Sequence, residues 1–225
     1  MKSDATAIPV VTTALDPVGI GLAASLARPG GNVTGLGLDA GLETLAKRFE
    51  LLKQVAPAAS RVAVLSLRQF WEGHWGNPIR NATGQLGMTA IGAPLDPPMD
   101  DAKYRLLFAD MARHTVDSIY ISPSVENLAH ARLIGELAVG ARLPSICFWR
   151  ENVQAGGLMA YAVDLVDIWR RAAQYIDRLL KGAKAADLPF EQPTKFDLVV
   201  NIGTARALSL TIPPLILARA DEVIE

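Results

Sequence analysis

The sequence predicts an α/β protein built on parallel sheets. Short runs of β-branched and other apolar residues, typical of buried strands, alternate along the chain with segments whose apolar residues recur at helical spacing. The connections between them are short, and strands that are joined through a helix pair in parallel. With 225 residues, half of them hydrophobic, the chain is long enough for one large domain or for two lobes of roughly 100 residues each.

The first predicted strand, Ile8–Thr13, is a short apolar run rich in β-branched residues. Asp16 and Pro17 then mark a helix start, because Asp is a preferred N-cap and Pro fits the first helical position. We expect this helix to continue to about Ala27 and to end at the Arg-Pro-Gly-Gly break of residues 28–31. Such a helix start exposes backbone N–H groups that suit a carboxylate.

The same alternation continues through the rest of the chain. The predicted elements are strands at 32–38, 61–67, 88–95, 118–123, 144–149, 156–161 and 196–201, and helices at 40–56, about 78–86, 100–114, 125–140, 164–181 and 203–209. The helix at 164–181 is the most clearly marked, because a basic residue and a glycine, Lys181 and Gly182, end its periodic apolar pattern. Beyond residue 209 we expect a polar tail.

Composition and motifs exclude several classes of protein. The net charge of -1 provides no basic surface for nucleic acid, and no apolar run approaches the length of a membrane span. The chain lacks a serine-nucleophile elbow, a phosphate-binding loop and zinc-binding spacings, and its "GIGLAAS" lacks the third glycine of a dinucleotide fingerprint. The single cysteine, Cys147, lies in an apolar strand and is interpreted as a core residue. We therefore expect no enzyme, no cofactor and no metal.

Ligands of parallel sheets bind at the carboxyl ends of the strands, which points to the loops that follow them. In the first such loop, Thr13, Asp16 and the backbone after Pro17 form a candidate cradle for a carboxylate. The alternative is that Asp16 only caps its helix and that the glycines after it allow close packing.

Two further loops carry candidate polar contacts. Ser122 and Glu126 lie around the start of one helix, and Arg150 and Asp164 lie near two later strand ends. For Glu126 and its neighbours, the alternative is a simple helix cap. Asp164 could also be a helix cap, and its functional role would be to face a ligand ammonium group. Aromatic residues near these loops could stack on a ligand or pack in the core: Phe148, Trp149, Tyr161, Trp71 and Trp75.

Several long blocks of the sequence, in order, resemble one family over nearly the whole chain. They are "DPVGIGLAASLARPGGNVTGL", "KRFELLKQVAPAASRVAVL", "ENVQAGGLMAYAVD", "RRAAQYIDRLLKGAKAADLPFEQPTKFDLVVNIGTARALSLTIPP" and "ILARADEVIE". These blocks resemble the ABC-transporter substrate-binding proteins related to the tryptophan/tyrosine-uptake type. The resemblance implies a type I periplasmic-binding-protein fold, in which two parallel-sheet α/β lobes joined by hinge crossings close on a small solute.

The resemblance also implies boundaries and roles. The first lobe would hold residues 1–33 and 163–191, and the second lobe 34–162 and 192–225, with crossings at "NVTG", at "AYAVD" and near residues 192–195. The solute would be a small organic molecule, with aromatic amino acids favoured, and the partner would be an ABC permease in the membrane. The implied ligand contacts are Thr13, Asp16 and Pro17 in the first lobe, Asn32 and Thr34 at the hinge, and Ser122, Glu126, Arg150 and Asp164 in the second lobe or its crossing.

The sequence departs from the family pattern in two places. It begins at what resembles one of the last strands of the first lobe, without the export signal and the earlier βα units, so we expect an incomplete first lobe; residues 68–80 also differ from the plainer loop of the family. The family resemblance implies a periplasmic location, although "MKSDATAIPVV" contains no export signal. The alternatives are a truncated, binding-defective remnant, which could dimerise through the incomplete lobe, and an intracellular ligand-sensing domain.

Overall fold

The computed structural model describes residues 8–225, which form two compact units. Unit 1 comprises the chain up to Gly41 together with Val163–Phe196, and unit 2 comprises Leu42–Ala162 and Asp197–Glu225. The predicted lobe boundaries after residues 33 and 191 lie eight and five residues before these divisions, and the predicted boundary before residue 163 coincides with one of them. Residues 1–7 lie outside the described residues. They include most of "MKSDATAIPVV", the segment in which the sequence shows no export signal. No helix in residues 8–225 has the length and apolar character needed to cross a membrane.

The elements of the described chain follow the predicted alternation. In chain order they are β1 (Val10–Ala14), β2 (Val33–Gly37), α1 (Leu42–Val55), β3 (Arg61–Leu67), α2 (Arg68–Glu72), α3 (Gly76–Gln85), β4 (Thr89–Leu95), α4 (Asp101–Arg113), β5 (Ser118–Ile121), α5 (Val125–Ala129), α6 (Ala131–Gly140), β6 (Ser145–Cys147), α7 (Arg150–Gln154), β7 (Met159–Ala162), α8 (Leu165–Leu180), a 3-10 turn (Ala185–Asp187), β8 (Asp197–Asn201), α9 (Ile202–Ala207), α10 (Pro214–Leu217) and β9 (Glu222–Ile224).

In unit 1, β1 and β2 form a two-stranded parallel sheet, and α8 packs on it. The helix buries Ile168, Ala172 and Tyr175 on one face, at helical spacing. The Tyr175 hydroxyl donates to the carbonyl oxygen of Pro189 at 2.6 Å, which ties the helix to the segment that follows it. The pairing of β1 with β2 also places residues 33–35 of "NVTG" in a strand of unit 1, and the predicted hinge role of this stretch stays a prediction.

The helix predicted after Pro17 is absent, and residues 17–27 form turns instead. Asp16 Oδ1 accepts from the Gly19 N–H at 2.8 Å, which closes a local turn, and Gly21 adopts a φ of 69°. A left-handed residue breaks an α-helix, and glycine adopts that conformation without the steric cost of a Cβ. The two glycines therefore outweigh the Asp-Pro start signal.

Unit 2 is a seven-stranded sheet in the order β4-β3-β5-β6-β7-β8-β9. All neighbours pair in parallel except β7 and β8, which are antiparallel. This pair is the exception to the parallel sheet that the sequence predicts. Ala162, the last residue of β7, pairs with Asp197, the first residue of β8, so the chain re-enters the sheet at the edge where it left and runs in the opposite direction.

Helices cover both faces of the unit 2 sheet. Alternate strand residues point to opposite faces, so Val64 and Tyr120 pack on one side with Phe49 of α1, whereas Leu65 and Ile121 pack on the other side with residues of α4 and α6. We call these the α1 side and the α4 side. Each side holds its own hydrophobic core, as expected for parallel strands buried on both faces.

Several short elements were not predicted. The predicted helix 125–140 is interrupted at His130, which separates α5 from α6. The short helices α2, α7 and α10 and the strand β9 have three to five residues each, too few to produce a helical or alternating period in the sequence. The expected polar tail therefore contains a helix and a strand.

Asp117 joins the amino ends of β3 and β5, and we predict that its carboxylate stabilises unit 2. It accepts from the backbone N–H groups of Ser60 and Arg61 at 2.8 and 3.0 Å and from the hydroxyls of Ser60 and Ser118. Burial alone would raise the pKa of Asp117, but these donors outweigh it and hold the pKa below its usual value. Asp117→Asn should lower the free energy of unfolding at pH 7 by about 1–2 kcal/mol, measured by chemical denaturation.

The difference between wild type and Asp117→Asn should depend on pH. Because the folded-state pKa is depressed, the contribution is complete above the unfolded-state pKa, about 4, and is lost as the pH falls through the lower folded-state value. Glu136→Gln, at an exposed ion pair with Arg132, is the control and should change stability by less than about 0.5 kcal/mol. An Asp117→Asn effect that stays constant down to pH 2.5 would contradict the assignment.

Candidate functional site

The carboxyl edge of the unit 2 sheet brings together three of the predicted residues. β3, β5 and β6 end at this edge, and α2, α5 and α7 begin just beyond it. Ser122 follows β5 directly, Glu126 lies in the first turn of α5, and Arg150 is the first residue of α7. The parallel connection of strand to helix therefore places them on one edge, as the rule for ligand sites in such sheets predicts.

Two serines lie side by side at this edge. Leu65 of β3 pairs with Ile121 of β5, and the ladder continues one residue further, because the Ser122 N–H donates to the Leu65 carbonyl oxygen at 3.1 Å. Ser66 and Ser122 are thus neighbours, and strand alternation directs both toward the α1 side. They are 0% and 1% exposed, respectively.

The same layer continues across β6 and β7 as aromatic residues. The Phe148 N–H donates to the Ile121 carbonyl oxygen at 2.9 Å, so Phe148 is the neighbour of Ser122, and the pairing of β6 with β7 places Tyr161 next to Phe148. We call Ser66, Ser122, Phe148 and Tyr161 the sheet-edge row.

A buried arginine of α1 contacts this row. The Arg48 guanidinium carbon lies 4.3 Å from the centre of the Phe148 ring, and Arg48 Nε donates to the Tyr161 carbonyl oxygen at 2.9 Å. The Arg48 side chain is completely buried. The Trp149 ring packs edge-on against Phe148, with ring centres 4.6 Å apart. The row thus combines hydroxyls, aromatic rings and a buried cation.

Buried polar atoms without a hydrogen-bond partner concentrate near this edge. Within residues 8–225 they include Ser66 Oγ, Ser122 Oγ, Glu126 Oε2, Glu151 Oε2 and Asn152 Oδ1. A buried polar group left unpaired costs about 1–3 kcal/mol, and native structures rarely tolerate several at one place. A bound molecule or ordered water would supply the missing partners.

A groove of about 490 Å³ adjoins the edge at the ends of β3 and β4, and Glu126 lines it. Arg68 forms two hydrogen bonds with Asp96, at 2.8 and 2.6 Å, and one with Glu72 at 3.0 Å. The bond with Arg68 lowers the pKa of Asp96. This network neutralises Arg68 within the groove, so the groove as a whole carries more negative than positive charge.

Arg150 already has a structural partner. Its guanidinium pairs with Glu222 of β9, and both side chains are about two-thirds buried. The pair holds the start of α7 to the last strand of the sheet. The predicted role of Arg150 as a ligand contact stays a prediction, and such a contact would have to compete with Glu222.

The predicted residues of unit 1 are held by local structure. Thr34 is completely buried and donates to the Leu188 carbonyl oxygen at 2.7 Å, and Asn32 Nδ2 donates to the Ile8 carbonyl oxygen at 3.1 Å. Thr13 is a half-buried residue of β1. Because no helix begins at Pro17, the helix start that was expected to bind a carboxylate beside Asp16 is absent. That part of the sequence interpretation is wrong.

Cys147 is a buried, free cysteine of the unit 2 core. Burial raises the pKa of the Cys147 thiol to about 12, so the thiolate nucleophile is not formed at neutral pH. Within residues 8–225, no group of three His, Cys, Asp or Glu side chains is arranged to hold a metal ion.

The sequence did not point to Ser66 and Arg48, which the structure places in the sheet-edge row and in contact with it. Ser66 is the one polar residue in the apolar core of β3, and a hydroxyl next to the carboxyl end of a strand is a signal that could have been noticed. Arg48 resembles an ordinary surface residue of an amphipathic helix, and nothing in its sequence neighbourhood shows that it is buried. Trp71, Trp75 and Phe70 lie around α2, where Trp71 stacks with Arg80 at 4.1 Å.

Comparison with known proteins identifies the family. The model of the family described as "ABC transporter substrate binding protein" matches residues 1–70 and 106–224. The chain therefore belongs to the ABC transporter substrate-binding protein family, as the sequence resemblance predicts. The unmatched stretch, 71–105, begins within the segment that departs from the family pattern.

Individual relatives agree with this assignment. A tyrosine-binding protein of Clostridioides difficile (strain R20291) is 22% identical over 214 residues, which cover 90% of this chain and 57% of the relative. The chain thus spans little more than half the length of that curated relative.

Solved structures share the fold. An ABC domain from Streptococcus pneumoniae in complex with L-Trp is 25% identical with a TM-score of 0.84, covering 97% of this chain and 74% of that one. A conserved domain protein from Vibrio cholerae is 24% identical with the same TM-score, covering 96% and 71%. The predicted fold class, α/β of the type I periplasmic-binding-protein kind, is confirmed.

Asp164 caps α8, and we predict that this role can be separated from any contact with a solute. Asp164 Oδ1 accepts from the backbone N–H groups of Val166 and Asp167 at 2.8 and 3.2 Å. Asp164→Ala should lower the free energy of unfolding by about 1 kcal/mol because it removes the cap, whereas Asp164→Asn keeps an acceptor and should preserve most of the stability. Thermal and urea unfolding measure both.

The solute affinity of the same two variants tests the second role. If the Asp164 charge faces a solute ammonium group, Asp164→Asn should weaken binding although the protein stays folded. Equal affinity of wild type and Asp164→Asn would remove Asp164 from the ligand contacts and leave only the cap.

Proposed function

We propose that this chain binds a small organic solute, of the aromatic amino-acid class, as the solute-binding component of an ABC transporter. The observation that carries the proposal is the sheet-edge row, where unpartnered buried hydroxyls adjoin aromatic rings at the edge where parallel sheets bind ligands. Family membership supports the solute-binding role, and the names of the relatives, which mention tyrosine and L-Trp, support the aromatic class.

Aromatic side chains favour an aromatic solute. Phe148 packs against Trp149 in a T-shaped arrangement, and Arg48 lies over one face of its ring, so the Phe148 ring is contacted on two sides. Tyr161 is only half-buried and can offer its ring to a ligand. Aromatic pairs contribute about 0.5–1.5 kcal/mol beyond the burial of their area, which suits the selection of an aromatic solute over an aliphatic one.

Ser122 and Glu126 carry the proposed polar contacts, because each has a buried oxygen without a partner. The other predicted contacts, Thr13, Asp16, Pro17, Asn32, Thr34, Arg150 and Asp164, stay predictions. Delivery to an ABC permease and a location outside the cytoplasm are proposed from family membership.

Calorimetric titration with L-tryptophan, L-tyrosine and L-leucine tests the proposal. We expect both aromatic amino acids to bind more tightly than L-leucine, and a saturating solute at 100 times its Kd to stabilise the fold by about 2.7 kcal/mol in a thermal melt. A chain that melts cooperatively but binds none of the three would favour the binding-defective alternative. Solute binding by a chain that is found inside the cell would favour the alternative of an intracellular ligand-sensing domain.

The outer face of α8 supports the further proposal that two copies associate through unit 1. Val166, Trp169, Ala173, Ile176 and Leu180 are exposed and recur at alternating spacings of three and four residues, which is the pattern of a helix-pairing seam. We call them the α8 stripe. Arg170 and Asp177 flank the stripe on the same side, so an antiparallel pair would place Arg170 opposite the partner's Asp177. This charge complementarity favours a second copy of the chain over an unrelated partner.

Size-exclusion chromatography with light scattering tests the association. Wild type should elute with twice the 24.1 kDa chain mass at micromolar concentration, and Trp169→Glu should elute as a monomer because it buries a charge in the seam. Leu106→Glu, at an equally exposed apolar residue of α4, is the control and should not change the mass. A wild-type monomer at 100 µM would contradict the pairing of α8 stripes and leave another partner to cover that face.

A further inference from the structure

We propose that the solute carboxylate binds in unit 2, to the hydroxyls of Ser66 and Ser122, with Arg48 as the nearby countercharge. This inference rests on the proposed function, and it specifies which end of an amino-acid solute the sheet-edge row receives. It adds Ser66 and Arg48 to the ligand contacts and moves the carboxylate away from the loop at Asp16 and Pro17.

The first argument is the contrast between buried serines of the same unit. Ser118 donates to Asp117 at 3.1 Å, and Ser145 accepts from the Leu158 N–H at 2.8 Å, so both are paired within the protein. Ser66 Oγ and Ser122 Oγ have no partner, although all four serines are buried to the same extent, with at most 1% exposure. The unpaired serines are the two that the ladder places side by side at the carboxyl edge. A ligand with two acceptor positions would satisfy both.

The second argument is the charge beside them. Phe148 follows Ser122 in the sheet-edge row, and the Arg48 guanidinium lies over its ring at 4.3 Å. Two adjacent hydroxyl donors with a cation nearby suit an oxyanion better than a neutral carbonyl, because hydrogen bonds to a charged acceptor are roughly twice as strong as those to a neutral one. A carboxylate offers both oxygens to donors and a negative charge to Arg48.

The third argument is that the neighbouring helix starts carry hydrogen-bond acceptors, whereas the sheet-edge row carries hydroxyl donors. Glu126 of α5 and Glu151 of α7 each have a buried carboxylate oxygen that lacks a donor. These atoms can only accept, so they suit an ammonium group and repel a carboxylate. Hydroxyl donors in the sheet-edge row and carboxylate acceptors at the helix starts match the two charged groups of an α-amino acid.

Titrations of the full chain with three related solutes test this assignment. L-Tryptophan has both charged groups, tryptamine lacks the carboxylate, and 3-indolepropionate lacks the ammonium. We expect Ser66→Ala and Ser122→Ala each to weaken L-tryptophan and 3-indolepropionate at least tenfold, and to leave the weaker binding of tryptamine unchanged. Glu126→Gln should show the reverse, weakening tryptamine and L-tryptophan but not 3-indolepropionate.

Stability of the solute-free variants provides the control. Ser66→Ala and Ser122→Ala remove hydroxyls that have no partner, so their melting temperatures should equal or exceed that of wild type. Ser145→Ala, at a paired serine of the same sheet, should lower the melting temperature because it leaves the Leu158 N–H without its acceptor. Lost affinity at unchanged stability therefore reports a ligand contact rather than a folding defect.

Two outcomes would overturn the inference. Wild-type affinity for L-tryptophan in the Ser66→Ala, Ser122→Ala double variant would do so, and so would equal affinity of the wild type for tryptamine and L-tryptophan. Either result leaves the proposed aromatic solute intact, because binding is still observed. If the wild type binds no indole compound but binds L-leucine in a Ser122-dependent manner, the proposal of an aromatic solute is wrong and the proposal of a carboxylate site at Ser122 is supported. If it binds neither, both proposals fail.

Discussion

The parallel register of β3, β5 and β6 is the constraint on which the proposed site depends. Each strand is followed by a helix, so all three end at one edge, and the backbone ladder decides which residues become neighbours there. A slip of one residue in β5 would turn Ser122 to the α4 side and bring an apolar residue beside Ser66. The backbone hydrogen bonds from Ser122 and Phe148 prevent this slip, because they extend the ladder past the last regular strand residue.

Arg48 shows how the sheet-edge row is linked to the core. A completely buried guanidinium is costly unless its charge and its donors are compensated. The Phe148 ring and the Tyr161 carbonyl oxygen provide part of that compensation, and Phe49, the next residue along α1, packs its ring against Tyr120. The helix that covers the hydrophobic core therefore also carries the positive charge toward the row. Neighbouring residues of one turn of α1 thus contact both the hydrophobic core and the sheet-edge row.

Much of the fold followed from local patterns, and the failures have identifiable causes. The strand at 61–67 and the helix at 164–181 agree with β3 and α8 to within a residue, because both have strong periodicity and clear ends. The helix expected after Pro17 failed because Gly21 takes a left-handed conformation. The short helix α7 and the strand β9 were missed because elements of three to five residues depend on contacts with the rest of the sheet. The strand-end rule predicted that Ser122, Glu126 and Arg150 lie at the carboxyl edge of the sheet, where the structure places them, whereas it did not point to Ser66 or Arg48.

The sequence by itself determined the alternation of strands and helices, the family and the polar residues that follow the strand ends, because these depend on residue periodicity and on the order of elements along the chain. Only the tertiary structure decided which polar atoms at that edge lack partners. It paired Arg150 with Glu222, Thr34 with Leu188 and Asp164 with the first turn of α8, and it left Ser66 and Ser122 side by side without partners. The physical reason is that hydrogen-bond satisfaction depends on neighbours that are distant in sequence. Strand pairing sets these neighbours, and the local pattern of residues does not record them.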